Sequence, residues 1–517
     1  MWGWPRANRL FFSVASMSIA VAGQAGAAVT LTAKTISDNM VLQRGMQAPI
    51  WGTAAAGEDV TVSFRSKDVT TKAGPDGKWS VKVETGTGGS TAYDLVIKGT
   101  NTITVKNVLV GEVWLAGGQS NMEFTMKMIG GTNTDSAKKA DFPEIRLFTQ
   151  RGTQKWHPCD TTTVKDFSAT GYYFAKLLHQ TLKMPIGMIS SNVGGTEVER
   201  WLDPATIKSI LPNDTDKANG DLYNQHIVPI VPYGIKGAIW YQGESNGYAA
   251  GRNPHPTWIA PNYKKHFGAM ITGWRTVWNQ GDFPFYYVQL ANYTAVQTQP
   301  GETSPWAEVR EAQRLTLGMK NTGMAVAIDI GEAGDIHPKN KWDVGKRLAL
   351  NALAQTYGDK NLVYSSPIFQ SKVIRGNAVR CVFTSGTGMK FLNGSKITGF
   401  SIAGANNIWV FADAVLDHDT VVVTGSGVPA PTKVRYGWAN NPVCNLYNAA
   451  NLPASPFQTE GEQLPIPVGI APMAKMSVRA LIADGVPGVD LTGRMRERNG
   501  SVLILHTVGR QATGVGR

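Results

Sequence analysis

Hydrophobic and polar positions change rhythm twice along this chain. Between Val29 and about Leu109, apolar residues recur at every second position in short runs, as in Val60-Thr61-Val62-Ser63-Phe64 and Trp79-Ser80-Val81-Lys82-Val83. A period of two puts one set of side chains on one face of a strand, so these runs predict half-buried β-strands. Ala48–Gly52, Asp94–Lys98 and Thr102–Val105 add further strands, and Pro75-Asp76-Gly77 is a turn signal among them. Residues 28–109 are therefore expected to form an N-terminal β-sandwich module.

From about Val110 the apolar runs become continuous and alternate with longer amphipathic stretches. Val113–Ala116, Ile186–Ser190, Gly237–Tyr241, Phe285–Gln289 and Met324–Ile328 read as buried strands; Ala169–Leu182, Ala307–Leu317 and Val344–Tyr357 read as helices. This alternation predicts an α/β domain over 110–360, a mostly parallel sheet with helices on both faces. Functional residues then belong just beyond the carboxyl ends of its strands. The β rhythm returns in Val373-Ile374, Ala378–Phe383, Ile408–Phe411 and Thr420–Val423, which predicts a C-terminal β-sandwich module over 361–468. Residues 469–517 form a basic tail with no pattern before Val502–Leu505.

Composition narrows the class. A chain of 517 residues, 42% hydrophobic and 17% charged, is globular and too long for one core. The net charge of +12 does not imply nucleic-acid binding, because the basic residues are scattered and lack aromatic interleaving. At the N-terminus, Arg6 and Arg9 precede an apolar run from Leu10 to Val21, and Ala25-Gly26-Ala27 supplies small residues for cleavage. Residues 1–27 thus read as a signal peptide, sending the chain to a periplasm or outside the cell. No later run reaches the length of a membrane span, so no stable membrane insertion is expected after cleavage. Three cysteines make no disulfide framework, although the spacing of Cys381 and Cys444 allows a pair.

The candidate chemistry lies at the predicted strand ends. Ser120 follows the strand Val113–Ala116 after Gly117-Gly118 and precedes a helix start. A serine on such a turn is held out of the sheet as a nucleophile, or it caps the helix; the segment alone allows both. Of eight histidines, His337 follows Met324–Ile328 through a glycine-bearing loop and stands two residues after Asp335. That makes it the preferred base, with a carboxylate to hold its tautomer. His179 and His266 lie within amphipathic helices; His157, His255 and His418 lack a partner at useful spacing; His226 precedes an apolar run, and His506 belongs to the basic tail. Two more loops share this rim. Ser191-Asn192-Val193-Gly194-Gly195-Thr196 offers a backbone oxyanion donor, and Gln242-Gly243-Glu244-Ser245-Asn246 offers a side-chain amide. No histidine or cysteine cluster has metal-ligand spacing, so neither metal nor cofactor is expected.

Gly118-Gln119-Ser120-Asn121-Met122-Glu123, Trp240–Asn246 and Asp335-Ile336-His337-Pro338 together resemble the sialate O-acetylesterase family of SGNH hydrolases. Asn39–Arg44, Val434–Ala439 and Asn451–Phe457 extend the likeness over roughly Leu31 to Thr459. The resemblance implies a three-layer α/β/α catalytic domain flanked by the β modules. It implies Ser120 as nucleophile, His337 as base, Asp335 as its acid, and an oxyanion hole from Ser120, Gly194, Gly195 and Gln242. Glu244 and Asn246 would face the substrate, an O-acetylated carbohydrate. Two positions depart from the wider group. The acid usually stands three residues before the histidine, where this chain has Gly334, so Asp329 competes with Asp335. The third-block asparagine is replaced in place by Gln242, with Asn246 in reserve. Acetylated hemicellulose is the alternative substrate, and a glycan-binding protein with an inactive site is the rival of a different class.

Overall fold

The computed structural model describes residues 28–130, 133–213, 218–248 and 260–465. The predicted signal peptide, His255, His506 and the basic tail lie outside the described residues. Residues up to Leu464 close a compact unit of mixed α/β architecture.

The rhythm of the sequence and the sheets agree closely. Gln47–Thr53 and Lys78–Glu84 bury every second side chain and pair in register, Ile50 opposite Val81. Asp59–Phe64 pairs with Lys67–Lys72 and Gly89–Lys98 in the neighbouring sheet. The difference from expectation lies at the module boundary. The predicted strands Thr102–Val105 and Val113–Ala116 are two ends of one strand, β1 (Thr102–Gly118). Its first residues alternate between exposed and buried, then every residue from Val108 onward is buried. The first half pairs antiparallel with Gly89–Lys98, and the second half enters a parallel sheet covered on both sides. The expected division at 109/110 therefore falls inside a shared strand.

That sheet continues with β2 (Phe142–Thr149), β3 (Trp156–Cys159), β4 (Ile186–Asn192), β5 (Gly237–Tyr241), β6 (Phe285–Gln289) and β7 (Thr322–Val326), in the order β3-β2-β4-β1-β5-β6-β7. All neighbours are parallel except β3 with β2. The chain crosses from β4 to β5 over β1, which makes the carboxyl end of β1 the switch point where a crevice opens. The main helices are α1 (Ser120–Glu123), α2 (Ala169–Leu182), α3 (Ala260–Trp278), α4 (Pro305–Thr316) and α5 (Lys341–Asn351). Consecutive residues of β6 reach opposite layers. Tyr287 Oη donates to Gln313 O in α4, whereas Tyr286 Oη bonds Thr356 Oγ1 just after α5. Trp240 on β5 meets Trp274 of α3 edge-on, centroids 5.6 Å apart.

A second apolar core fills the C-terminal β region, where Phe369 and Phe457 stack at 4.3 Å. Arg310 of α4 fastens this region to the sheet. Its fully buried guanidinium donates to Leu290 O, Ala291 O, Ala439 O and Asn440 O. Cys159, Cys381 and Cys444 are all free thiols, so the pairing that the spacing of Cys381 and Cys444 allowed is not made.

Candidate active site

Register brings the loops together. Gly118 stands opposite Asn192 of β4 and Tyr241 of β5, so three strands end at one level. Gln119 N donates to Tyr241 O and Val193 N to Gly118 O, which stitches the loops at that level. Gly118 has φ +136, and a Cβ there would lie 2.1 Å from Tyr241 O. Only glycine allows the turn that follows.

Ser120 is the first residue of the one-turn helix α1. Gln119 is the N-cap and makes no side-chain cap bond. The Ser120 hydroxyl lies instead 2.9 Å from His337 Nε2. His337 Nδ1 faces Asp335 Oδ1 at 3.6 Å, beyond hydrogen-bond length, while the same carboxylate accepts the His337 backbone N–H at 2.8 Å. The competing acid is engaged elsewhere: Asp329 forms a two-pronged pair with Arg347 at 2.6 and 2.8 Å. Phe124 stacks on the imidazole with centroids 4.4 Å apart. Burial holds the His337 pKa below the ordinary imidazole value; the charge of Lys341 pushes the same way, and Asp335 opposes both.

The other histidines are placed elsewhere. His266 is buried against Glu199 at 2.6 Å, His179 Nδ1 meets Met184 O, and His418 is exposed beside Asp417.

The residues expected at the oxyanion stand in different surroundings. Gly194 lies beside Ser120, since a Cβ on it would come within 3.2 Å of Ser120 Cβ. Its N–H is already given to Glu123 Oε2 at 2.7 Å, and Arg151 pairs with the other oxygen of Glu123 at 2.7 Å. Gly195 adopts φ +70 next to it, with open space where a side chain would stand. Gln242 is fully buried and has no free donor: its amide serves Thr196 O and Asn246 Oδ1, and its carbonyl oxygen accepts from Tyr263. Asn246 is buried too, bridging Gln242, Val198 N and Glu199. Glu244 is buried and accepts from Asn121 Nδ2. All three side chains are buried beneath the rim and hydrogen-bonded to its loops.

Three residues went unremarked in the sequence. Asn121 stands inside the serine motif, buried, donating to Glu244 and Ile336 O. Phe124 follows the same motif. Lys341 is fully buried at the start of α5 and donates to Asn121 Oδ1 and Pro338 O. A lysine at a helix N-terminus opposes the helix dipole, and that conflict was the one readable hint. Among the described residues, no group of three histidine, cysteine or acidic side chains is arranged to hold a metal ion.

A serine and histidine in contact at a sheet switch point define a class of hydrolase. The family described as "Carbohydrate esterase, sialic acid-specific acetylesterase" matches residues 110–354. Sialate O-acetylesterase of Pongo abelii is 30% identical over 392 residues, 65% of this chain and 73% of that protein. The Mus musculus sialate O-acetylesterase is 27% identical over 521 residues, 82% of this chain and 93% of that protein. The crystal structure of a carbohydrate acetylesterase from Xanthomonas citri superposes with a TM-score of 0.76 at 38% identity, covering 84% of this chain and 100% of that one. The chain belongs to the sialate O-acetylesterase family, and it is an ester hydrolase.

Proposed function

We propose that this protein removes O-acetyl groups from carbohydrates through an acetyl-enzyme on Ser120. The observation that carries the reading is the 2.9 Å contact between Ser120 Oγ and His337 Nε2 at the switch point. The charge of Asp335, 3.6 Å from Nδ1, favours the ring proton on that nitrogen, which leaves Nε2 to accept the serine proton. Oγ attacks the acetyl carbonyl carbon, and the collapsing intermediate expels the sugar oxygen, which takes the proton back from Nε2. Water, deprotonated by the same nitrogen, then attacks the acetyl-serine; the C–Oγ bond breaks, Ser120 Oγ takes that proton back from Nε2, and acetate is released. The oxyanion is met by the Ser120 N–H, an unshared donor at a helix start, and by the Gly194-Gly195 turn. Because the Gly194 N–H is given to Glu123 Oε2 at 2.7 Å, the Gly195 N–H is the donor that this turn offers the oxyanion.

The same reading gives the catalytic unit the SGNH type, a three-layer α/β/α domain over about 110–360 between β-sandwich modules at 28–109 and 361–468. It keeps the chain exported after loss of residues 1–27. Among the described residues, no helix is long and apolar enough to cross a membrane.

The sugar is open to two classes. The mammalian relatives are named for sialate esters, whereas the Xanthomonas citri protein is named only for carbohydrate acetyl groups. Acetate release from O-acetylated sialosides, acetylxylan and acetylated xyloglucan separates them. Ser120→Ala should abolish release from every substrate, including 4-nitrophenyl acetate, while leaving the circular dichroism unchanged. Turnover surviving in that variant would overturn the reading.

A further inference from the structure

Lys341 is a costly residue to bury. Its ammonium is fully enclosed and sits at the amino end of α5, where the helix dipole repels a cation. Packing alone would favour methionine or leucine at such a site. Its contacts converge on the two halves of the Ser120–His337 pair. Nζ donates to Asn121 Oδ1, the side chain next to Ser120, and to Pro338 O, the carbonyl next to His337, at 2.7 Å in the latter case. It lies 5.6 Å from the centre of the Phe124 ring, which itself stacks on the imidazole, and 5.4 Å from that of Tyr241. Asn121 completes the bridge by donating to Ile336 O at 2.9 Å, on the other side of His337.

We infer that Lys341 is a positioning residue for the esterase reaction: it locks the Ser120 turn to the His337 loop. The inference rests on the Ser120–His337 reading and extends it to the residue that joins its parts.

The charged groups around Nζ are Glu244 from the loop after β5, Asp335 and Glu332 from the loop before α5, and His337 itself. Burial brings the lysine down to about 7, against the pull of those three carboxylates. It is therefore charged in the acid range where the imidazole titrates. A cation held there keeps His337 neutral, and thus able to take the serine proton, to lower pH than an uncharged neighbour would.

The test uses the full-length enzyme with kcat and KM measured across pH. Lys341→Met should lower kcat by roughly 10- to 100-fold, the range of misplaced catalytic groups, with KM nearly unchanged. Its acid limb should move to higher pH. Asn121→Ala keeps the charge but cuts the bridge, so kcat should fall while the acid limb stays where it is. Should Lys341→Met fail to fold, Asn121→Ala still tests the bridge. Wild-type kcat in either variant, or a Lys341→Met loss without movement of the acid limb, would overturn the inference. Ser120→Ala in the same assay separates the two layers: activity there removes the underlying reading, whereas an inactive Ser120→Ala beside a fully active Lys341→Met removes only the role of Lys341.

Discussion

The rim of the parallel sheet and the C-terminal β region are both well buried, yet they are filled by opposite chemistry. The β region is packed with Phe369, Phe383, Phe400, Val421, Val423 and Phe457. The rim encloses Gln119, Asn121, Glu199, Gln242, Glu244, Asn246, His266 and Lys341 instead. Each of those polar groups costs free energy to desolvate, and each has at least one hydrogen bond to offset that cost, with Glu244 Oε2 left unpaired. Apolar residues of equal size would serve stability at least as well. The difference teaches that the rim is built to hold loops in fixed relation, and the β region to hold itself together.

The sharpest way to break this comparison is to exchange the readouts. His337→Ala should reduce kcat by about 10³- to 10⁴-fold, the range of a lost base in such a constellation, with thermal stability little changed. Phe457→Ala should do the reverse. It empties a fully buried site in stacked contact with Phe369, and should cost about 3–5 kcal/mol in urea unfolding. Its kcat should equal wild type at temperatures where the variant is folded. Comparable loss of kcat in both variants would show that the two regions are not separable.

The two aspartates of the His337 loop carry the comparison to a single turn of chain. Asp329 is locked to Arg347, with little of either side chain exposed. Asp329→Ala strands that guanidinium and should cost about 3–5 kcal/mol of stability. Asp335 is more open, at 42% side-chain exposure, and its pair with His337 spans 3.6 Å. Asp335→Ala should change stability by less than about 1 kcal/mol. Its kcat should fall by about 10- to 100-fold, less than where the acid bonds Nδ1 directly. Steady-state kinetics and denaturant midpoints on the same two proteins check both halves.

How far the sequence reached follows the same line. Strand and helix periods locate Gly237–Tyr241, Phe285–Gln289 and Ala169–Leu182 at their structural bounds, because burial of one or both faces is written in local spacing. The meeting of Ser120 and His337 was legible because both residues stand just past strand ends. The single strand β1 was read as two, since its alternation stops where a second sheet begins and nothing local marks the continuity. Gln242 was expected at the oxyanion, and Glu244 and Asn246 at the substrate, whereas the structure buries all three beneath the rim. Which way a side chain turns from a loop depends on partners such as Thr196, Tyr263 and Glu199, which are remote in sequence. Lys341 was passed over for the same reason, since its partner Asn121 lies 220 residues away.

The smallest effect concerns the pH at which the rim begins to work. In the proposed mechanism His337 must be neutral to take the serine proton, so kcat/KM should rise as pH climbs through the His337 pKa. Burial, the dominant influence, disfavours the imidazolium and moves that pKa below the ordinary imidazole value; Lys341 adds to the shift, and Asp335 reduces it. The acid limb of the wild-type profile should therefore have its midpoint below about 6.5. Asp335→Asn removes the one group that favours the protonated ring, so its limb should move lower still, although kcat falls. The shift is opposite in sign to that expected for Lys341→Met. Profiles of kcat/KM for the three proteins in one buffer series test it. A limb that stays in place in Asp335→Asn would mean that the carboxylate acts on His337 through its backbone bond alone, and that the acid of this site lies elsewhere.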